Sequence, residues 1–260
     1  MVITLTTDFG YTDPFVGIMK GVILGIHPEA RVVDLNHGIA PQDVQAGAMI
    51  LRHSLPYFRR GTIHIAVVDP GVGGARRPIL IESDGHYFVG PDNGVLSLAL
   101  EGKEPSCMIH LSNPRYHLTP TSTTFHGRDI FAPVAAYLSL GIPPRAFGER
   151  ITTFQRLSRP GVVKNGRGLL GEIIYIDHFG NLFTNITEHD LAELSGTRLT
   201  IRLGRIAISG VVQNYAAGKK AGFMAIINGW GLLEIALYKD SAQNRTRAKI
   251  GQRVEVRAES

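Results

Sequence analysis

The sequence has one cysteine, one tryptophan and no long hydrophobic run. A single cysteine, Cys107, excludes a disulfide framework, a thiolate zinc site and a paired redox motif. Apolar stretches fall short of the roughly 18 to 20 residues that a transmembrane helix needs. The first residues, MVITLTTDFG, have the pattern of a β-strand rather than that of a signal peptide. We therefore expect a soluble, cytoplasmic protein.

Motifs for common cofactors are also missing. No Gly-x-Gly-x-x-Gly pattern follows the first strand, and there is no Walker sequence. The spacing of histidines and carboxylates matches no dedicated metal motif, so we predict neither a metal nor a cofactor. The formal charge is +5, but the basic residues are scattered, and the densest group, at 244–253, has no interleaved aromatic residues. This pattern argues against a nucleic-acid partner.

The first half of the chain alternates strand and helix patterns. VITLTTD, RVVDLNHG and GTIHIAVVDP predict strands, whereas DPFVGIMKGVILGIHP, QDVQAGAMILRHSLPYF and GRDIFAPVAAYLSLG predict helices. RPILIES and HYFVGPDNG are typical of a hairpin. The alternation predicts an α/β domain over residues 1–155, with a mostly parallel sheet covered by helices.

Beyond residue 155 the pattern changes. RLSRPGVVKNGRG is rich in glycine, arginine and proline, and it places a linker at 156–165. Short strands with glycine-rich turns follow, as in LLGEIIYIDHFGNLFTNI and RLTIRLGRIAISGVV. They predict a smaller antiparallel β-barrel-like domain over 166–260.

Aspartates follow three predicted strands, at the edge where open α/β sheets bind ligands. Asp8 could accept both hydroxyls of a vicinal diol such as ribose. The alternative is that each aspartate caps the following turn or helix, which suits Asp34 well. Asp13 either caps the helix that follows it, the interpretation that we favour, or makes a second ligand contact.

The segment VVDPGVGGARRP, residues 67–78, leaves a buried strand with an aspartate, three glycines and two arginines. In the simplest interpretation Asp69 caps the strand and the arginines face water. In TTFHGRDIFAP, His126 precedes a glycine at the start of a helix and could point into a cleft. A structural role is the more common one for such a histidine, and Arg128 with Asp129 predicts a structural ion pair.

The segment YIDHFGNLFTNI breaks a strand at Asp177 and resumes it after Asn181. The aspartate could hold an ammonium group, and the asparagine could pair with the edge of a heterocycle. Phe179 and Phe183 are available as apolar walls. A hairpin with an Asx turn explains the same residues, with His178 as a turn residue.

Five segments in this order resemble the S-adenosylmethionine (SAM) hydrolases, also called SAM hydroxide adenosyltransferases, which are related to bacterial fluorinating and chlorinating enzymes. The segments are TTDFGYTDPFVGIMKG, VVDPGVGGARR, TFHGRDIFAP, DHFGNLFTNI and GWGLLEIA. The resemblance implies a larger α/β domain, a smaller β domain and a homotrimer. It also implies sites between the N-terminal domain of one subunit and the C-terminal domain of its neighbour.

The resemblance also implies roles for individual residues. The catalytic positions of the family fall on Asp69, Arg76 and His126. The substrate-binding positions fall on Asp8, Asp13, Asp177, Asn181, Tyr215, Gly229 and Glu234. Asp8 would bind the ribose, the Asp177–Asn181 loop would meet methionine and adenine, and Tyr215 would stack on adenine. Because relatives often have serine at Gly229, backbone donors would have to meet the methionine carboxylate here.

The implied reaction is hydrolysis of SAM to adenosine and L-methionine by nucleophilic substitution at ribose C5′. Relatives that use halide carry tyrosine where this chain has Asp69. A fixed negative charge repels a halide, whereas it can accept a hydrogen bond from water. Two other functions stay open: a module that binds adenosine or SAM without reacting, and a halide-dependent synthase of 5′-halo-adenosine.

Overall fold

In a computed structural model, the chain divides into two compact units, unit 1 (Met1–Leu157) and unit 2 (Ser158–Ser260). The structure describes residues 1–158, 160–166, 168–194, 198–220 and 222–259. The predicted linker includes Arg159, which lies outside the described residues. The predicted bounds of the linker and of the two domains stay predictions.

Unit 1 is built from seven strands and three α-helices. In chain order they are β1 (Val2–Thr7), α1 (Phe15–Ile26), β2 (Arg31–Asn36), α2 (Val44–Ser54), β3 (Ile63–Val67), β4 (Pro78–Ser83), β5 (His86–Pro91), β6 (Cys107–His110), α3 (Ala132–Ser139) and β7 (Glu149–Arg150). A π-helical turn, Gly127–Phe131, leads directly into α3. Single 3-10 turns lie at Leu55–Tyr57, Leu98–Leu100, Pro114–Tyr116 and Pro144–Phe147.

The sheet of unit 1 has the strand order β2-β1-β3-β5-β4-β6-β7. The pairs β1–β2, β1–β3 and β3–β5 are parallel, while β4 is antiparallel to both β5 and β6, and β7 is antiparallel to β6. Five of the seven strands therefore point the same way, which confirms the mostly parallel sheet. The reversal occurs in a tight hairpin at Asp84 and Gly85, both with positive φ, as Asp-Gly hairpin turns require.

The core of unit 1 lies between the sheet and two helices. Alternate residues of β1 and β3, among them Ile3, Leu5 and Ile65, are fully buried and cluster with residues of α1 and α3. A strand places alternate side chains on opposite faces, so the intervening Thr4 and His64 point to the other face. At 25 cal/mol per Å² of apolar area, each large core side chain contributes roughly 1.5–3 kcal/mol by its burial. This packing fixes the strand ends from which the loops of the site leave.

Unit 2 is almost entirely strand. Its elements are β8 (Val163–Asn165), β9 (Gly168–Ile176), β10 (Leu182–Thr187), α4 (Glu188–Ala192), β11 (Arg198–Leu203), β12 (Ile206–Ser209), β13 (Phe223–Ile227), β14 (Leu232–Leu237), α5 (Ala242–Thr246) and β15 (Arg253–Glu259), with a 3-10 turn at Ala217–Lys220.

The strands of unit 2 pair antiparallel in the order β12-β11-β15-β9-β10-β14-β13, and β8 pairs with β9. A single bridge between Val212 and Ile226 links the segment after β12 to β13, at the opposite end of this order. The sheet therefore nearly closes on itself, which confirms the predicted barrel-like C-terminal domain. Within the described ranges of the chain, the helices are too short or too polar to cross a membrane.

Candidate active site

Asp69 and Arg76 lie on the loop that joins β3 to β4, at the carboxyl edge of the parallel strands. The guanidinium Nε lies 3.0 Å from both oxygens of the Asp69 carboxylate, and Nη2 lies 2.5 Å from Oδ2. The side chains are only 5% and 8% exposed, respectively. A shielded, two-pronged contact of this kind is stronger and better oriented than a surface ion pair. The loop therefore presents a carboxylate and a guanidinium as one rigid unit.

The glycines of this loop permit a close approach to the segment before His126. Gly73 has a φ of +74°, and a Cβ at this residue would lie 2.1 Å from the carbonyl oxygen of Thr123. Only glycine satisfies both conditions without a shift of the backbone. The two loops are thereby held together.

His126 immediately precedes the π-helical turn and contacts Arg76. Nη2 of Arg76 lies 2.8 Å from Nδ1 of His126. A guanidinium only donates, so Nδ1 must accept, and the proton of the neutral ring is on Nε2. The pKa of His126 is lowered, first by burial and then by the positive charge of Arg76. The structure thus brings together the three residues that the resemblance implied to be catalytic, with the imidazole neutral.

A cavity of about 270 Å³ in unit 1 contains Asp69 and Asp8 in its wall. The lining residues are Asp8, Phe9, Gln42, Val67, Asp69, Pro70, Val72 and Gly127. Oδ2 of Asp8 accepts a hydrogen bond of 2.8 Å from the backbone N–H of Gln42. Oδ1 is left without a partner in the part of the chain that the structure describes. Asp8 can therefore still accept from a ligand hydroxyl.

One nitrogen of Arg76, Nη1, donates to no protein group among the described residues, although it is buried. Buried donors of this kind are nearly always satisfied by protein, water or ligand. This group is accordingly suited to bind a polar atom of a ligand or a water molecule.

The predicted capping roles of two aspartates, Asp13 and Asp34, are wrong. Helix α1 begins at Phe15 with Pro14 in the capping position and no side-chain cap, so Asp13 lies one residue too early to cap it. Asp13 is exposed and is absent from the lining of the cavity. Asp34 lies within β2, and instead of capping a helix it pairs with Nζ of Lys20 at 2.6 Å.

Unit 2 has its own cavity, of about 590 Å³. It is lined by Asp177, Phe179, Asn181, Tyr215, Leu237, Tyr238, Lys239, Asp240 and Ser241. Three of the sequence-predicted substrate residues, Asp177, Asn181 and Tyr215, are thus brought to one place. Residues 237–241 were missed by the sequence analysis, although their position directly after an apolar strand could have indicated them.

Asp177 organises the turn between β9 and β10. Its Oδ1 accepts the backbone N–H groups of Phe179 and Asn181 at 2.9 and 2.8 Å, and its Oδ2 accepts the side-chain amide of Asn181 at 2.9 Å. The predicted Asx turn is therefore confirmed, and it holds both side chains in the wall of the cavity. Phe179 is also in this wall, but Phe183 is buried and packs against Trp230, so its prediction as an apolar wall is wrong.

Tyr215 is anchored from behind by a buried carboxyl group. Its hydroxyl donates to Oε1 of Glu234 at 2.8 Å. Burial raises the pKa of Glu234, and burial together with this hydrogen bond raises the pKa of Tyr215. Glu234 is 1% exposed and does not line the cavity. Its Oε2 is buried and has no hydrogen-bond partner among the described residues. Gly229 is exposed in the turn between β13 and β14 and lines neither cavity.

The predicted ion pair of Arg128 with Asp129 is confirmed, with Nε of Arg128 at 2.6 Å from Oδ1. No group of three or more histidine, cysteine or acidic side chains that could hold a metal ion occurs among the residues that the structure describes.

These features define a protein with an α/β unit and a β-barrel unit, each with a cavity of small-ligand size. A carboxylate–guanidinium–imidazole cluster contributes its carboxylate to the wall of the first cavity. Family models for the N-terminal and C-terminal domains of SAM hydroxide adenosyltransferase match residues 3–148 and 171–255. The chain belongs to the SAM hydroxide adenosyltransferase family.

Named relatives agree with this family. The chain is 34% identical over 260 residues to an (R)-S-adenosyl-L-methionine hydrolase of Thermus thermophilus, covering 96% of this chain and 97% of the relative. It is 43% identical over 185 residues to a protein of the same name from Salinispora arenicola, covering 69% and 70%. A fluorinase of an Actinoplanes species is 29% identical, covering 81% and 79%.

A solved structure has the same fold. The crystal structure of an uncharacterized conserved protein from Thermotoga maritima superposes with a TM-score of 0.92 at 32% identity, covering 99% of this chain and all of that one. The two-unit architecture is thus that of a solved relative over the full length.

Proposed function

We propose that the protein hydrolyses SAM to adenosine and L-methionine, with a water molecule attacking ribose C5′. The observation that carries the proposal is the Asp69–Arg76–His126 cluster, whose member Asp69 lies in the wall of the same cavity as Asp8. The water oxygen forms a bond to C5′ while the C5′–S bond breaks. The electron pair of that bond stays on sulfur, so the positive sulfonium becomes the neutral thioether of methionine.

Asp69 is the group best able to accept the proton of the attacking water. The single lone pair of Nδ1 of His126 is occupied by Arg76, and the Nε2 nitrogen carries a proton. The carboxylate of Asp69 has about four acceptor sites, of which Arg76 uses only some. In this mechanism Arg76 stabilises negative charge on the attacking oxygen, and His126 holds Arg76 in place.

Most of the rate enhancement would come from alignment. The leaving group departs as a neutral molecule, so it needs no acid. Holding water in line with C5′ can contribute about 7–11 kcal/mol relative to a bimolecular encounter. Proton transfer to a positioned base adds roughly 10²–10⁴-fold. A rigid loop between two strands is suited to the alignment of water, which is the larger of these two contributions.

The remaining cavity groups match other parts of SAM. The free Oδ1 of Asp8 can accept from the ribose hydroxyls, and the carboxylate of Asp177 can hold the methionine ammonium. Asn181 can pair with the adenine edge, and Tyr215 offers a ring for stacking. Contacts of Asp13, Gly229 and Glu234 with SAM stay predictions. Gly229 would act through its backbone, and the buried Oε2 of Glu234 has no hydrogen-bond partner among the described residues.

The charge of Asp69 favours water over halide. A chloride or fluoride ion at the attacking position would lie next to a shielded carboxylate, and the repulsion is strong where water does not screen it. A water molecule in the same position donates a hydrogen bond instead. The fluorinase relative makes halide-dependent synthesis the second candidate, and a module that binds without reacting is the third.

One experiment separates the three candidates. The protein is incubated with SAM in H₂¹⁸O, with and without chloride or fluoride, and the products are analysed by chromatography and mass spectrometry. We expect adenosine with ¹⁸O in its 5′-hydroxyl and equal amounts of methionine, whatever the halide concentration. A 5′-halo nucleoside would establish the second candidate, and bound but intact SAM the third. Unlabelled adenosine would contradict attack at C5′.

The homotrimer with shared sites is also part of the proposal. Exposed apolar side chains on one side of α1 support association, because Phe15 and Ile18, three residues apart, are 41% and 38% exposed. Analytical ultracentrifugation measures the mass directly. If sites are shared, a mixture of Arg76→Lys and Asp177→Asn subunits, unfolded and refolded together, is more active than either variant alone when SAM is kept below the KM of the wild type. Failure of mixed trimers to exceed both variants would contradict shared sites.

A further inference from the structure

The buried side chain of His37 contacts the loop that carries Asp8. His37 directly follows β2, whose parallel neighbour β1 ends at Thr7, so both loops leave the sheet at the same edge. Nδ1 of His37 lies 2.8 Å from Oγ1 of Thr7, and the two residues are 1% and 0% exposed. The imidazole is therefore bound to the residue that immediately precedes the Asp8 carboxylate.

The backbone of His37 holds the next part of the same loop. Its carbonyl accepts the N–H of Gly10 at 2.8 Å, and its own N–H donates to the hydroxyl of Tyr11 at 3.2 Å. The Thr7 hydroxyl also accepts the N–H of Phe9 at 3.2 Å. A hydroxyl has one proton and two lone pairs, so it can bind the imidazole and this N–H together. The loop is thus held both before and after the carboxylate.

Gln42, on the segment that begins with His37, meets the carboxylate itself. Its N–H donates to Oδ2 of Asp8 at 2.8 Å. Gln42 has a φ of +69°, an uncommon conformation for a residue other than glycine. Such backbone persists only where the surrounding structure holds it, and it is concentrated at functional sites. The segment from His37 to Gln42 therefore orients both the loop and the oxygen of Asp8 that is left for a ligand.

Asp34 lies on the other side of the His37 ring. Nε2 lies 3.1 Å from Oδ1 of Asp34, outside hydrogen-bond geometry, and the second carboxylate oxygen pairs with Nζ of Lys20. A hydroxyl, an imidazole and a carboxylate in this order resemble the triad of an enzyme with a hydroxyl nucleophile. Because the Thr7 hydroxyl and the ring are buried, a substrate cannot reach them. The arrangement is suited to hold the loop rather than to react.

We propose that His37 is a positioning residue, which holds the loop of Asp8 so that the free carboxylate oxygen faces the hydroxyls of a ribose. The inference deepens the proposed function and rests on it, because the ribose is that of SAM or of its product adenosine. The arrangement of the loop is a property of the protein without ligand. Ligand binding and loop structure can therefore be measured separately.

The test removes the hydroxyl that meets His37 and compares this variant with the same change elsewhere in β1. Thr7→Val keeps the branched side chain but cannot bind the imidazole, whereas Thr7→Ser keeps the hydroxyl. The matched control is Thr4→Val, because Thr4 is also fully buried and its Oγ1 lies 2.8 Å from Nδ1 of His64. Neither threonine lines the cavity of Asp8. The control thus loses the same kind of contact in the same strand.

Calorimetry measures the binding of adenosine and of 2′,3′-dideoxyadenosine, which lacks both ribose hydroxyls. We expect the Kd of adenosine to rise by about tenfold in Thr7→Val and that of 2′,3′-dideoxyadenosine by less than about twofold, because the weakened contact is a hydrogen bond to a charged group. Thr7→Ser and Thr4→Val should bind both nucleosides like the wild type. An equal loss for the two nucleosides in Thr7→Val would overturn the proposal, and so would an adenosine Kd equal to that of Thr4→Val.

Hydrogen–deuterium exchange followed by mass spectrometry reports on the loop without any ligand. We expect the peptide that contains residues 8–11 to exchange faster in Thr7→Val than in Thr4→Val, because exchange follows local opening. Equal exchange in the two variants would overturn the proposal. A wild type that binds neither nucleoside and leaves SAM intact would contradict the proposed function. Faster exchange in Thr7→Val would then still support His37 as the residue that holds the loop.

If Thr7→Val does not fold, Tyr11→Phe decides. Tyr11 is 73% exposed, so the loss of its hydroxyl leaves the core intact and removes the acceptor of the His37 N–H. We expect the Kd of adenosine to rise by about threefold and that of 2′,3′-dideoxyadenosine to stay unchanged. An adenosine Kd equal to that of the wild type would overturn the proposal.

Discussion

Arg76 donates a hydrogen bond to Nδ1 of His126 across 2.8 Å, and this contact fixes the state of the imidazole. A protonated ring would present an N–H to a group that can only donate. Burial and the charge of Arg76 lower the pKa of His126, in agreement with a neutral ring. At neutral pH the cluster therefore holds one negative, one positive and one uncharged group.

Arg76→Lys tests whether the hydrogen bonds of the planar guanidinium are needed, or only its positive charge. Lysine keeps the positive charge but cannot donate to Asp69 and His126 from one planar group. We expect kcat for SAM to fall by about 100-fold or more, with KM within roughly threefold, because the lost contacts act on the attacking water. The control is Arg77→Lys, which alters the neighbouring Arg77–Asp92 pair. Equal kcat in the two variants would remove Arg76 from the mechanism.

Asp177→Asn tests the cavity of unit 2. The substitution removes the charge that would hold an ammonium, and an amide nitrogen at this position would face Nδ2 of Asn181. We expect KM for SAM to rise by about 30-fold or more while kcat changes by less than roughly threefold. Asp190→Asn is the control, since this carboxylate receives two hydrogen bonds from Thr187 in the cap of α4. If Asp177→Asn has the same KM for SAM as Asp190→Asn, the ammonium group of SAM does not bind at Asp177.

Gly73→Ala tests the contact between the two loops of the site. At a φ of +74° a side chain costs about 1–2 kcal/mol, and here the added Cβ would also press on the carbonyl of Thr123. Gly102→Ala is a control for the strain alone, because its φ is +71° and nothing lies within 4 Å of its Cβ. We expect urea denaturation to show a larger loss of stability for Gly73→Ala, together with reduced kcat. Equal losses of stability in Gly73→Ala and Gly102→Ala would show that the loop with Thr123 can move away from the added Cβ.

His64 predicts sensitivity of the fold to acid. The ring is fully buried, with Nδ1 at 2.8 Å from Oγ1 of Thr4 and Nε2 at 3.3 Å from Nδ1 of His86. Burial, and next the charge of His86, lower the pKa of His64 to about 3. Its value in the unfolded chain is about 6.5, so the unfolded state binds more protons below that pH. The contribution to stability is present above pH 6.5 and is lost as the pH falls toward 3.

At pH 5 the expected loss from His64 is about 2 kcal/mol, from 1.36 kcal/mol per pH unit below 6.5. The variant His64→Gln stays neutral, so its free energy of unfolding should change less between pH 7 and pH 5 than that of the wild type. Denaturant titrations at the two pH values measure the difference. His178→Gln, at an exposed turn residue, should behave like the wild type. The same pH dependence in wild type and His64→Gln would contradict the prediction.

The strands and helices were predictable where one local signal dominated. Apolar β-branched runs such as IHIAV in β3 and the Asp-Gly turn between β4 and β5 identify their own structure. The strand order was not predictable, because it depends on which edges pair. The π-helical turn before α3 was missed as well, since GRDIFAP has no sequence feature that separates it from an ordinary helix start.

The part of the site on the β3–β4 loop was predictable, because a carboxylate and a guanidinium among glycines are uncommon in a loop with only a structural role. Asp69 and Arg76 are separated by six residues with little side chain, so a contact between them was foreseeable once the loop was recognised. The backbone contact of Gln42 with Asp8 joins residues 34 positions apart, and a backbone donor leaves no trace in the residue type. Asp13 shows the opposite case: Asp-Pro is a common start of a helix, with the aspartate as the cap, but here the proline itself occupies the capping position.

The loop from β3 to β4 differs from the usual strand-to-helix loop in where it ends. Because β4 runs antiparallel to the parallel strands, the loop starts and finishes at the same rim of one sheet. Both ends of the loop therefore continue into strands that are hydrogen-bonded within the sheet. We therefore expect Asp69 and Arg76 to stay paired on warming until a strand detaches, so that the Asp69–Arg76 contact and the integrity of the sheet are lost at the same temperature.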